Sequence, residues 1–139
     1  MSGFLVTATA PLVMSDVLKW EANPWYNREQ VTLHSTGDTV VYPGTVLGKI
    51  TSSGKYVPVD KSASDGSQHA AGVCLENRVA LSEDIDILAL VRGPAVVSGV
   101  VNGGDAAVGG LIWPSDFSSG DITTGLGELL ALNIVTRDT

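Results

Sequence analysis

The chain has 139 residues, a formal net charge of −7, a single cysteine, sixteen glycines and six prolines. The length suffices for one domain that buries about two-thirds of its unfolded surface. An acidic balance without clustered Lys or Arg argues against nucleic acid as a direct partner, the lone Cys74 excludes an intramolecular disulfide, and no run approaches the roughly 18 apolar residues of a membrane-crossing helix.

In chain order, residues 1–25 read as an extended N-terminal arm. Phe4, Val6 and Ala8 alternate with Leu5, Thr7 and Thr9, and Pro11 and Asn23-Pro24 break any long regular element. No basic residue precedes the apolar run of residues 1–11, so a secretion signal is not expected. Phe4, Leu5, Val6, Thr7, Ala8, Leu12 and Val13 are the candidates for docking on a partner by strand addition. The alternative is that residues 4–10 form the first strand of the domain's own sheet. On the arm reading, loss of residues 1–22 leaves the fold and its stability nearly unchanged. Trp20, Trp25 and Tyr26 are candidate anchors on a partner or a neighbouring subunit, or else caps on the base of their own domain.

Residues 26–139 read as a β-rich domain, because glycines and prolines punctuate short apolar runs throughout. YNREQVTL at 26–33 alternates into a strand. PGTVLGKI at 43–50 is a turn followed by a strand, and residues 55–59 make another, in which Pro58 points to an edge position. Residues 60–68 are a loop with Asp65-Gly66 at its tightest point and a left-handed backbone expected at Gly66. At 70–75 the chain re-enters the body, where Gly72 between small residues asks for close approach of another backbone. Residues 77–84 read as a polar connection. Residues 85–91 are apolar on both faces in their second half and form a central strand covered on both sides. Arg92-Gly93-Pro94 turns this strand, and residues 95–101 return toward Asn102-Gly103. Trp113-Pro114 precedes a polar loop. Asp121 is expected to cap a short helix carrying Leu126, Leu129 and Leu130, with Gly125 and Gly127 confining regular helix to its second half. Residues 134–136 close the chain as a strand.

No catalytic, cofactor or metal site is expected. The segment 48–55 departs from a phosphate loop in spacing and places Tyr56 where a Mg²⁺-binding hydroxyl is needed. Cys74 lies between Val73 and Leu75 and reads as an inert buried thiol rather than a partner of His69. His34, His69, Asp60 and Asp65 lack metal-ligand spacing. Asp84 and Asp86 share a strand face but adjoin a polar loop, and Ser98 lacks the flanking glycines of a nucleophile elbow.

PGTVLGKI, SGKYVP, DGSQHAAGV, VRGPA and IWP occur in this order over residues 26–136. In this the chain resembles the head decoration proteins of lambda-type tailed phages. The resemblance implies a small β-barrel or β-tulip-like domain with a short C-terminal helix and no enzymatic activity. It implies a homotrimer on the outer capsid surface of the virion, made in the host cytoplasm before assembly, that clamps neighbouring major capsid protein subunits against packaged DNA. Trp20, Trp25, Tyr26, Trp113 and Pro114 then become candidates for the trimer interface or for anchoring. The competing reading is a small all-β carbohydrate- or peptide-binding module, which could also be displayed on a virion, with Trp20, Trp25 and Trp113 as its aromatic platform.

Overall fold

The computed structural model describes residues 13–102 and 110–137. The architecture is mainly β, as the sequence indicates. After a 3₁₀ turn at Met14–Asp16 the elements are β1 (Leu18–Glu21), α1 (Pro24–Asn27), β2 (Arg28–Leu33), β3 (Asp38–Val41), β4 (Val46–Lys49), β5 (Tyr56–Pro58) and β6 (Ala70–Cys74). They continue with β7 (Arg78–Leu81), β8 (Ile85–Leu90), β9 (Ala95–Ser98), β10 (Val101–Asn102), β11 (Leu111–Ile112), α2 (Ser119–Ala131) and β12 (Ile134–Arg137).

Strands β2, β5, β4, β6 and β8 close into a barrel in that order. The longest ladder is antiparallel, from Arg28 opposite Leu90 to Leu33 opposite Ile85. As its two-sided pattern requires, β8 is paired on both edges, to β2 and to β6. Neighbouring residues along the barrel strands go to different cores. Val31, Leu33, Leu47, Tyr56, Cys74, Ile87 and Ala89 come from all five strands and fill the interior. Val46, Val73 and Leu90 point the other way, into a second core with Val17, Ala95, Val97, Leu111, Trp113, Leu129 and Ile134. This second core lies between the barrel wall, helix α2 and a three-stranded sheet ordered β12, β9, β1.

Four features differ from the sequence reading or sharpen it. Residues 17–22 are built into the body: Val17 is fully buried, its carbonyl accepts from Ser98 N at 2.8 Å, β1 pairs antiparallel with β9, and Ala22 N donates to Pro94 O at 3.0 Å. An arm separate from the domain therefore reaches no further than about Val13. Second, Pro58 is not on a sheet edge, because β5 lies inside the closed barrel. Its missing N–H costs nothing there, since β5 meets β2 only through Leu33 opposite Tyr56. Third, residues 78–81 of the expected polar connection are a strand, β7, paired with β3 in a two-stranded ribbon. Fourth, helix α2 is regular throughout. Its cap is Ser118 rather than Asp121: Asp121 N donates to Ser118 Oγ at 3.2 Å, and Ser118 N donates to Asp121 Oδ2 at 2.9 Å, a reciprocal capping box. Gly125 lets the helix close on the core, since a Cβ there would lie 2.5 Å from Cζ3 of Trp113. Gly66 has the expected left-handed backbone, φ 107°, and Gly72 the expected close approach, with Leu90 O 2.9 Å from where a Cβ would sit.

Candidate docking surfaces

Most of the exposed large apolar side chains among the described residues gather in two regions. The first surrounds α1. Pro24 opens this single turn, Asn23 Oδ1 accepts from Trp25 N at 2.9 Å, and the fully buried Asn27 donates through Nδ2 to Pro94 O at 2.8 Å. Arg92 lies over the Tyr26 ring at 5.1 Å, donates to the Tyr26 carbonyl and pairs with Glu29. Trp25 is thus held out from a fixed mount, 94% exposed, beside a half-exposed Tyr26. Trp20 lies on the outer face of the β1–β9–β12 sheet, directly across from Val96, which is in turn opposite Val135. Exposed Val13 borders a groove of about 460 Å³ shared with Leu18, Trp20 and Arg28.

The second region is the β3–β7 ribbon. Val40 and Val79 oppose each other on its outer face, with Leu81 and Tyr42 continuing the stripe; all four are exposed. Val41 and Ala80, on the inner face, are buried. A ribbon apolar on both faces buries only one of them within its own chain, and an exposed apolar strand pair is a surface for a partner. Sequence reasoning missed this stripe. Its signal is Val40-Val41 and Val79-Ala80-Leu81, where the polar half of the strand alternation is absent.

Of the sequence candidates, Phe4, Leu5, Val6, Thr7, Ala8 and Leu12 lie outside the described residues. Val13, Trp20, Trp25 and Tyr26 are all exposed, and Pro114 is half-buried. Trp113 does not join them. Only 7% exposed, it stacks on Phe117 with ring centroids 5.7 Å apart and packs against Gly125, so it is a core residue and not a surface anchor or a ligand platform.

The polar side chains make local ties that position elements. Asp84 accepts from Lys55 Nζ at 2.6 Å and from Ser35 N at 3.2 Å, and lies 2.9 Å from His34 Nδ1. The Lys55 hydrogen bond, followed by that of His34, lowers the Asp84 pKa from 3.8 to about 2. A carboxylate with a depressed folded pKa stabilises the fold above its ordinary range, and that contribution is lost as pH falls from about 4 to about 2. Asp84→Asn is therefore expected to lower the melting temperature slightly at pH 7, with the gap to the unaltered protein closing as pH drops through this window and narrowing in high salt; thermal scans across pH check it. His69 and Ala70 N both meet the Glu128 carboxylate, tying α2 to the start of β6, and Lys61 pairs with Asp121 at 2.9 Å. Burial pushes the Cys74 thiol up to about 11, which leaves it protonated and unreactive at neutral pH. Among the described residues no three His, Cys, Asp or Glu side chains are grouped to hold a metal ion, and no helix is long and apolar enough to cross a membrane.

The chain matches the family model of the bacteriophage lambda head decoration protein D over residues 7–134. It belongs to that family. No curated protein matches it. Membership makes it a structural protein of the phage head, a capsid decoration protein located on the virion. The match begins at residue 7 and ends at residue 134, so it takes in part of the segment before Val13 and all of the described body except residues 135–137.

Proposed function

We propose that the protein binds the outer surface of the expanded head as a homotrimer, contacts neighbouring major capsid protein subunits, and stabilises the shell against the pressure of packaged DNA. The docking element is the segment before Val13, which carries Phe4, Leu5, Val6, Thr7, Ala8 and Leu12 and adds a strand to an exposed sheet edge of the shell. Before assembly the protein resides in the host cytoplasm, where its single thiol stays reduced. The family match over residues 7–134 carries this reading. The described body supports it with apolar and aromatic surface held on rigid mounts. Twelve extended residues reach roughly 40 Å at about 3.3 Å each, enough to pass from a bound domain to the next shell subunit. Many such contacts on one shell act together, so a modest individual affinity yields a stable coat.

Co-sedimentation with purified heads is the test. The full chain is expected to pellet with expanded heads and not with unexpanded precursors, and the chain lacking residues 1–12 to pellet at least ten-fold less. Equal coating by the truncated chain removes the docking strand from the account. Absence of coating by the full chain removes the function.

A further inference from the structure

A groove of about 460 Å³ opens where the described chain begins, and Val13 is itself one of its walls, with Met14, Leu18, Trp20 and Arg28. Val13 and Trp20 are both half-exposed there. Strand β1 runs along the groove and ends the three-stranded sheet. Its inner edge is taken by β9, with Ser98 N bonded to Val17 O and Ala22 N to Pro94 O, and its outer edge pairs with no strand among the described residues. Along such an edge an extended segment gains side-chain burial and backbone hydrogen bonds together.

The chain's own first residues are delivered to this place. Residues 1–12 join the body at Val13, whose backbone is fixed: Asp16 N donates to Val13 O at 2.9 Å, Val17 N to Met14 O at 3.1 Å, and Val13 N to Asp16 Oδ2 at 2.8 Å. Val13 is already extended, with φ −124° and ψ 166°. Tight turns of this kind join antiparallel strands through loops of about three to five residues, so a strand continuing back from Val13 runs antiparallel to β1 on its open side. The charges of the lining have partners at home, Arg28 on Glu21 and Lys19 Nζ on Ser15 O at 2.9 Å, and an uncharged occupant suits them. Residues 1–12 carry no charged side chain. In extended form Phe4, Val6, Ala8, Ala10 and Leu12 share one face, apolar throughout, and Leu5, Thr7 and Thr9 share the other. Residues 4–12 then span about 30 Å, ample to cover β1 from end to end.

We propose that in the free protein residues 4–12 fold back along the open edge of β1 with the Phe4–Val6–Ala8 face in the groove, and that docking exchanges this home seat for the edge of the shell. The exchange rests on the docking-strand reading above; the seat does not. Tethering at Val13 gives the segment an effective concentration of about millimolar, so a weak contact keeps the seat filled most of the time. The seat covers an apolar strand that otherwise pairs with unintended edges. It also regulates docking, because a segment free for only a fraction of the time binds with its affinity reduced by that fraction. A strand held only at a sheet edge opens locally well below the melting of the body, so the melting midpoint is set by the body alone.

Hydroxyl-radical footprinting read by mass spectrometry, on the full chain and without heads, tests the seat. Trp20 reports on the groove, and Trp25, 94% exposed and not part of its lining, is the reference. Val6→Asp charges the apolar face and Thr7→Asp the opposite one. Relative to Trp25, Trp20 should oxidise at least about 3-fold more slowly in the unaltered chain and in Thr7→Asp than in Val6→Asp, as a seat filled about two-thirds of the time requires. Equal Trp20 rates in all three chains overturn the seat. Protection that disappears on dilution assigns the groove to a segment of a neighbouring copy and overturns it as well. The exchange is tested with Trp20→Ala, which removes a wall of the groove and keeps the docking segment intact: it should coat expanded heads at least about 3-fold more tightly than the unaltered chain. Weaker coating by Trp20→Ala makes the groove a shell contact and overturns the exchange. Coating by neither chain removes the docking function and the exchange with it, while the footprint still decides the seat.

Discussion

Removing residues 1–22 is expected to unfold the domain or to lower its melting temperature by about 12 °C or more, whereas removing residues 1–12 leaves it unchanged. The longer deletion takes away Val17, which is fully buried in the core shared by the barrel, α2 and the β9 sheet. It also strips the antiparallel partner from β9 and abolishes the bonds from Ser98 N to Val17 O and from Ala22 N to Pro94 O. Burying one valine contributes about 1.5–3 kcal/mol, and each lost backbone hydrogen bond of the ladder costs about 1 kcal/mol more. For a domain of this size each kcal/mol moves the midpoint by roughly 3–5 °C. Scanning fluorimetry on the two truncations checks the contrast. Equal stability of both would return residues 13–22 to a detachable arm.

The second large effect is at Trp113. Trp113→Ala is expected to cost about 3–5 kcal/mol, the range for emptying a buried aromatic site, because it removes the ring that Gly125 of α2 closes upon and that stacks on Phe117. Trp25→Ala, at a position almost wholly in water, is expected to change monomer stability by less than about 0.5 kcal/mol. Urea unfolding of the two variants at a concentration low enough to keep the chain monomeric separates these roles. A mild Trp113→Ala would mean that its burial is easily compensated and that the helix holds by other contacts.

The contrast between these tryptophans shows how far residue type alone carries. All three read as interface or anchoring candidates because residue type alone does not say whether a tryptophan faces the core or the solvent. What decides is the partner. Gly125, a helix-weakening residue in local terms, is the complement of Trp113, and the two lie twelve positions apart in sequence. Strand pattern was legible where it was extreme: residues 85–91, apolar on both faces, gave the central barrel strand β8, and Gly66 and Gly72 announced the backbone geometry they have. It was not legible in residues 77–84, where Arg78, Ser82, Glu83 and Asp84 outweigh a four-residue strand whose pairing with Asp38–Val41 is non-local. Residues 13–22 misled for a different reason. Apolar residues alternating between prolines suit a strand that pairs with a partner as well as one that pairs at home; here Val17 is buried, Met14 and Leu18 pack against the same core, and β1 is held by its ladder to β9 and leaves Trp20 outside. The helix start was misplaced by three residues because Asp121 does cap it, but from inside the first turn and in return for the Ser118 hydroxyl.

The most direct test of the decoration role is an image reconstruction of the mature head of the phage that encodes this chain, beside heads assembled without it. The expected result is threefold-symmetric density of the size of three such domains on the outer surface, absent without the protein, with the side bearing Val13 turned toward the shell. Heads that are identical with and without the chain, or density confined to the interior or the tail, would contradict it.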